Sequence, residues 1–474
     1  MFENYYLFIN KYLNFIYLLF AIILTGLSTI LVPPFQNPDE PAHFYRAEEV
    51  SRLELVPSFV YDSQYKIPQH TDSTLVFSAP GGYKVDKGVQ QAQHPFTRLS
   101  CCLINRVDSS MFIEAKQYKW GSGFTRLNFG NTAIYPPTAY IIPSIGIFIG
   151  KCLQLNIIQT YTLSRIFNCV TAVMIGFLAL FLAKRSRILF FIALLFPMCV
   201  SLFASVSQDA SLICFSFLLV AIIDHAEFNS TPQYSKWHFL GMVLLMTLII
   251  IAKPPYTPLV FIFLLLSIPL RTRVLLFSIP LFILMIWFYI DHYNLAIPFA
   301  PVEMHINAKL QVSHILHHPF RFIKMFFKPE WMAINQNAKM FVGILGWLDT
   351  YFPRLYYKMA FMVFFLGLVT CFEFTRKDSH FKVKVGLLFF ATITLIAVMT
   401  AQYVTWTALD SPVFSGMQGR YLYPIFPFVA LGVSGYKKID KISPYKSVFL
   451  ILIVSFPIIT ILNLVNVLIH RYYL

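Results

Sequence analysis

Charge is what this sequence has least of. Only 12% of its 474 residues are charged, against about 25% in a soluble globular chain. Just 22 residues are acidic, against 37 Lys and Arg. The apolar runs show no period-2 alternation, which excludes an outer-membrane β-barrel and leaves helices as the spanning element. The seven Cys show no metal-ligand spacing. Cys152, Cys169, Cys199, Cys214 and Cys371 lie in or beside apolar segments as packing residues, and the vicinal Cys101-Cys102 pair has no assigned role. No Gly-rich phosphate loop is present, which argues against use of a cytosolic nucleotide sugar. No internal repeat is visible, so the inverted-repeat plan of many transporters is not either.

What remains is 57% hydrophobic and 17% aromatic, the composition of a multi-pass membrane protein. The net charge of +15 does not point to nucleic acid, because Lys and Arg cluster in short loops beside apolar spans, as the positive-inside rule requires. A few of them are available to an anionic lipid substrate.

The expected fold is an all-α polytopic bundle of about eleven transmembrane helices with a large extracytoplasmic first loop bearing juxtamembrane helices. The spans fall near Tyr12–Val32, Thr160–Ala183, Ile188–Ser205, Ala210–Ala226, Trp237–Ile251, Tyr256–Leu270, Val274–His292, Tyr357–Phe374, Val383–Tyr403, Tyr421–Gly435 and Ser447–Ile469. The first lacks a small-residue cleavage site and reads as an uncleaved signal-anchor. The chain divides into that span (1–32), an extracytoplasmic loop (33–159), a transmembrane bundle (160–292), a second extracytoplasmic loop (293–356) and the C-terminal spans (357–474). Within the first loop, Ala42–Leu55 has the spacing of an amphipathic helix lying on the membrane surface. Val56–Gln93, rich in Pro, Gly, Ser and Tyr, reads as irregular loop. Ile134–Gly150 is long enough to span, but then Lys184–Arg187 and Lys437-Lys438 fall outside the cell. If it dips in and returns on the outer face, every later basic loop falls inside.

Four polar clusters then share the outer face. They are Asp39-Glu40 with His43, Ser207-Gln208-Asp209, Lys253-Pro254-Pro255-Tyr256, and Gly419-Arg420-Tyr421. Taken singly, Lys253 and Arg420 fit interfacial anchors and Asp209 a helix cap. The paired acids boxed by Pro33, Pro34, Pro38 and Pro41 have no such plain reading, beyond a cap by Asp39 of the surface helix. Together the clusters suit sugar transfer from a lipid phosphate. A carboxylate activates the acceptor, and cations stabilise the leaving phosphate. Tyr and Pro around Lys253 line a groove for the lipid chain in this reading. His94 lies late in the large loop, where it lines the site. His305, His314, His317 and His318 cluster in the second loop, but no third ligand has convincing spacing, and a loop role is favoured over metal binding. Trp331, Trp347 and Trp406 fit interfacial anchoring.

The order P-x-x-x-P-D-E-x-x-H-x-x-R-A after a first span resembles the opening of a bacterial multi-pass membrane family catalogued as a domain of unknown function. That family is grouped with the GT-C glycosyltransferases, such as protein O-mannosyltransferases and aminoarabinose transferases. Further matches are Tyr135-Pro-Pro-Thr-Ala-Tyr140, Ser164-Arg165, Pro197 with Ser205-x-Ser-Gln-Asp209, Lys253-Pro-Pro-Tyr256 and Gly419-Arg-Tyr-Leu-Tyr-Pro424. The resemblance implies an extracytoplasmic active site, a polyprenyl-phosphate-linked sugar donor and inversion. By position it makes Asp39 the first candidate base and Glu40 its partner or the alternative base. Asp209 falls at a second acidic motif, where metal-binding members carry two acids; this chain has one, so no metal or other cofactor is expected. His43, His94, Tyr135, Gln208, Asp209, Lys253, Tyr256, Arg420 and Tyr421 are the expected substrate-binding residues.

The expected protein is thus a glycosyltransferase of the bacterial cytoplasmic (inner) membrane whose active site faces the periplasm or exterior. Its expected partners are membrane lipids, the donor and a surface glycan, lipid or protein acceptor, with no nucleic acid. The rivals are a lipid-linked glycan flippase, which needs polar residues along several spans, and a surface-polysaccharide polymerase or ligase, for which Asp39 is dispensable.

Overall fold

The computed structural model describes residues 2–61, 81–228, 232–294, 306–327, 331–373, 380–435 and 444–474. The chain is mostly helical, with little sheet. In order, the helices begin with α1 (Phe2–Leu31), α2 (Glu40–Ser51), α3 (Lys87–Cys101), α4 (Ser109–Lys116), α5 (Gly130–Ala133) and α6 (Ile141–Cys152). The middle of the chain forms α7 (Ile157–Leu182), α8 (Arg187–Leu194), α9 (Pro197–Phe203), α10 (Gln208–Glu227), α11 (Lys236–Ala252) and α12 (Leu270–Asn294). Then follow α13 (Ala308–His317), α14 (Pro319–Phe327), α15 (Trp331–Gly343), α16 (Arg354–Cys371), α17 (Phe381–Trp406), α18 (Phe426–Val433) and α19 (Pro444–Tyr472).

Among the described residues seven helices are long and apolar enough to cross a membrane: α1, α7, α10, α12, α16, α17 and α19. The other four of the expected eleven spans are short or broken. Ile188–Ser205 divides into α8 and α9 at Phe196-Pro197, because proline at the start of α9 cannot continue the helix before it. Tyr256–Leu270 is largely a 3₁₀ helix, Pro254–Leu265, where Pro254, Pro255 and Pro258 withhold amide donors. Tyr421–Gly435 divides into a 3₁₀ turn, Gly419–Leu422, and the eight-residue α18. Only α11, at 17 residues, comes near a full crossing.

The Ile134–Gly150 segment forms a 3₁₀ turn (Pro137–Tyr140) followed by α6, whose 12 residues are too short to cross. α6 lies tightly on α7. A Cβ on Gly146 would come within 2.7 Å of Ser164 Cα, and one on Gly150 within 2.6 Å of Thr160 Cγ2.

Two expectations for the first loop are corrected. α2 is not a surface helix, since Arg46, Glu48 and Glu49 are buried along with Phe44, Ala47 and Val50. The charges are tolerated because they are paired. Arg46 bonds Glu49 and the carbonyls of Leu55 and Tyr135, while Glu48 takes Lys151 and Arg52. The stretch Val56–Gln93 is not all loop either. It holds β1 (Val60–Tyr61), β2 (Gly81–Asp86) and the start of α3. β2 is the middle strand of an antiparallel sheet with β1 and β3 (Phe124–Leu127). Gly82 is required there, because a Cβ would meet the Leu127 backbone at 2.7 Å. Asp86 ends the strand and caps α3 by accepting the Gly88 N–H at 2.8 Å. A second aromatic core, separate from the main bundle core, packs Phe35, Phe44, Phe96, Tyr140 and Tyr161 between this layer and α7.

Candidate functional site

The turn between α1 and α2 is set by Glu40. Its carboxylate is fully buried and accepts two bonds from Arg165 in α7, at 2.9 and 2.7 Å. It also accepts the Val206 N–H at 3.0 Å and the N–H and side-chain amide of Asn37 at 3.2 and 3.1 Å. Arg165 also donates to the Val32 and Pro33 carbonyls. Burial raises the Glu40 carboxyl, but Arg165 wins and holds it below the usual carboxylate range. Every oxygen is in use, and no exposed edge remains.

Asp39 differs in each respect. It occupies the N-cap position of α2, yet its side chain makes no capping bond. Its backbone is left-handed, at φ 57° and ψ 9°, a conformation that costs a non-glycine residue about 1–3 kcal/mol. That backbone turns the carboxylate away from the helix and onto Arg420, whose Nη2 donates to Oδ2 at 2.7 Å. The Asp39 side chain is 38% exposed, whereas those of Arg420 and Asp209 are 3% and 6% exposed. Burial raises its pKa, and Arg420 and His43 pull it net below the usual value.

Arg420 joins the second acid. Its Nη1 lies 3.6 Å from Asp209 Oδ2, and Lys253 Nζ donates to Asp209 Oδ1 at 2.6 Å. Asp39, Arg420, Asp209 and Lys253 thus form one chain of charge drawn from four distant parts of the sequence. Each sits where a helix starts or stops. Asp209 opens α10 beneath the Ser207 cap, Lys253 follows α11 where prolines end it, and Arg420 sits in a 3₁₀ turn. Gly419 allows that turn, since a Cβ there would come within 2.3 Å of the Phe341 nitrogen. The Tyr421 ring lies 4.6 Å from Lys253 Nζ and 5.4 Å from the Arg420 guanidinium carbon. Arg420 Nε and Nη1 are buried without a hydrogen-bond acceptor, and so is Gln208 Oε1 without a donor.

His43 lies in the field of all four charges. Burial pushes its imidazole down to about 4, with Arg420 and Lys253 adding to the effect and Asp39 and Asp209 opposing it. Its Nδ1 shares a 2.7 Å hydrogen bond with the Tyr140 hydroxyl. The Tyr135 phenol interacts with Lys253, Tyr421, Asp209 and Asp39, and burial pushes it up to about 12.

Eight of the eleven expected site residues therefore meet here by bond, ring contact or field: Asp39, His43, Tyr135, Asp209, Lys253, Tyr256, Arg420 and Tyr421. Tyr256 corrects the expected lipid groove, because it is buried and its hydroxyl is spent on the Tyr421 carbonyl at 2.9 Å. Glu40 braces the turn from behind. Gln208 adjoins Asp209, and His94 stands exposed on α3, bonded to none of these groups. Arg165 and Tyr140 are additions, through Glu40 and His43. Arg165 had a signal of its own, as an arginine two turns inside an apolar span.

Elsewhere, His314 and Arg321 both contact Asp410 Oδ1, at 3.1 and 2.7 Å. His305 lies outside the described residues. Among the described residues no group of three or more His, Cys, Asp or Glu is placed to hold a metal.

No curated protein and no solved structure matches this chain. The model of the family described as "Predicted membrane protein (DUF2142)" matches residues 20–429, from within α1 to beyond Arg420, so the chain belongs to that family.

Proposed function

We propose that the protein is an integral-membrane glycosyltransferase of the GT-C kind, moving a sugar from a polyprenyl-phosphate donor to a surface glycan, lipid or protein acceptor on the extracytoplasmic face of the cytoplasmic membrane. The observation that carries this reading is the ion-pair chain Asp39–Arg420–Asp209–Lys253, which sets one accessible carboxylate beside two cations at one end of the bundle. Asp39 takes the proton of an acceptor hydroxyl while the acceptor oxygen bonds the anomeric carbon. The bond from that carbon to the phosphate oxygen breaks, and the phosphate leaves with the electron pair. Lys253 and Arg420 stabilise the charge that develops there. Attack from one face with departure from the other inverts the anomeric centre.

Asp39 is a weak base while Arg420 holds it. Arg420 carries two nitrogens, Nε and Nη1, without a hydrogen-bond acceptor, so an arriving phosphate competes with Asp39 for the guanidinium. As that hold relaxes, the carboxylate gains basicity with the donor seated. Glu40 acts here as the brace that fixes the turn.

The test uses purified protein and a panel of polyprenyl-phosphate sugars with a labelled acceptor extract. Asp39→Asn is expected to lower transfer by about 10²–10⁴-fold with an unchanged melting temperature. Full transfer by that variant overturns the assignment.

A further inference from the structure

A cavity of about 340 Å³ runs between α6, α7, α10 and α11, lined by Thr138, Ile141, Asn168, Ala172, Ser211 and Leu248 among others. Its walls are almost wholly apolar, and Thr138, Asn168, Thr171 and Ser211 bring its few polar groups. Thr138 stands two residues before Tyr140, the partner of His43. Ser211 stands two residues after Asp209. Leu248 precedes Lys253 by five residues, about 7.5 Å along the helix. The polar residues of the lining therefore neighbour the charged cluster along the chain. The Thr138 hydroxyl is buried with no hydrogen-bond partner. Leu244, one turn of α11 before Leu248, and Ile141, at the start of α6, line the same cavity and are 53% and 46% exposed. They form a lip that opens sideways, where the flanking helices meet the bilayer.

We infer that this cleft seats the chain of a single-tailed lipid phosphate, a prenyl phosphate, whose head reaches Lys253 and Arg420 and whose tail leaves for the bilayer past Ile141 and Leu244. The inference rests on reading the charged cluster as a phosphate site and adds where the lipid lies. The spare donors of Arg420 select the head, because its Nε and Nη1 are buried without a hydrogen-bond acceptor and a phosphate oxygen supplies one. The volume, near the small end for ligand pockets, suits a stretch of one chain. A second apolar cavity, of about 370 Å³ between α1 and α7 around Leu18, Gly26 and Val170, serves as the internal control.

The full-length protein in nanodiscs is photolabelled with a prenyl phosphate carrying a diazirine along its chain. Label is expected on α6, α10 and α11, with Leu244 and Phe215 prominent. Undecaprenyl phosphate should compete for it, and dioleoyl phosphatidic acid and inorganic phosphate should not. Ala172→Phe, which fills the cleft, should cut labelling at least tenfold, while Gly26→Phe in the control cavity leaves it unchanged. Leu244→Trp, on the exposed lip, gives an independent readout, since brominated prenyl phosphate should quench the fluorescence that this substitution adds. Label centred on the α1–α7 cavity, equal competition by phosphatidic acid or phosphate, or no quenching of that added fluorescence overturns the inference. Labelling without sugar transfer overturns the proposed activity and leaves the lipid site standing. Transfer without labelling does the reverse.

Discussion

Asp39 and Glu40 are neighbours with opposite duties, and the backbone divides them. A left-handed Asp39 sends its carboxylate out to Arg420, while helical Glu40 points inward to Arg165. The sequence shows two acids in a proline-stiffened turn but not which one is buried, because that depends on a partner 125 residues away. The nearness of His43 to the paired acids was legible, whereas its protonation state was not, since that follows from burial. With the imidazole held down at about 4 against about 6.5 unfolded, the unfolded chain binds the proton more readily between those values. The neutral His43 therefore contributes stability that is complete above pH 6.5 and is lost as pH falls toward 4. Between pH 7 and 5 the loss is about 2 kcal/mol. Melting temperatures in detergent across that range should fall more steeply for the wild type than for His43→Gln. Parallel slopes would show that His43 is not a buried neutral group.

At the scale of elements, one ion pair ties the end of α1, the turn, α7 and the loop before α10 into a single unit. Arg165 holds Glu40 and the Val32 and Pro33 carbonyls, and Glu40 holds the Val206 N–H. Glu40→Gln leaves a guanidinium buried beside a neutral amide. The expected cost is about 3–5 kcal/mol, as for a buried pair broken from one side. Replacing both partners by apolar residues, Glu40→Leu with Arg165→Met, should cost less, because no charge is then left without its counter-ion. Chemical denaturation of the three proteins checks the order, and a double variant less stable than Glu40→Gln contradicts it. The elements themselves were unevenly legible. The seven long helices were plain from continuous apolar runs. α8, α9, α18 and the 3₁₀ stretch after Lys253 were not, because hydropathy reports burial and cannot tell lipid from a protein interior. The charges of α2 misled for the matching reason. Arg46, Glu48 and Glu49 look solvent-facing until their partners Leu55, Tyr135 and Lys151 fold over them.

Across the whole molecule, the candidate site and the basic loops stand at opposite ends. α10 runs about 30 Å, with Asp209 at one end and Asp224 and Glu227 at the other. Asp224 accepts the Lys184, Arg185 and Ser186 N–H groups, and Glu227 binds Ser267 beside Arg273. Arg187 bonds the Asn10 carbonyl at the start of α1, and Lys446 bonds the Thr370 carbonyl at the end of α16. The far end thus gathers the cations of the short loops. Lys84, Lys87, Arg98 and Arg126 lie in the layer at the site end, but they belong to a polar region long enough that its charge has little say in orientation. The short-loop cations should therefore keep their end in the cytoplasm and leave the candidate site outside. Single cysteines in a cysteine-free background decide this. Ser122→Cys, exposed in the site-end layer, should react with a membrane-impermeant maleimide on intact cells. Lys236→Cys, exposed at the far end of α11, should react only after permeabilisation. The reverse pattern would put Asp39 in the cytosol, where a carrier lipid could not present its sugar to a surface acceptor, and it would refute the transferase reading together with the topology.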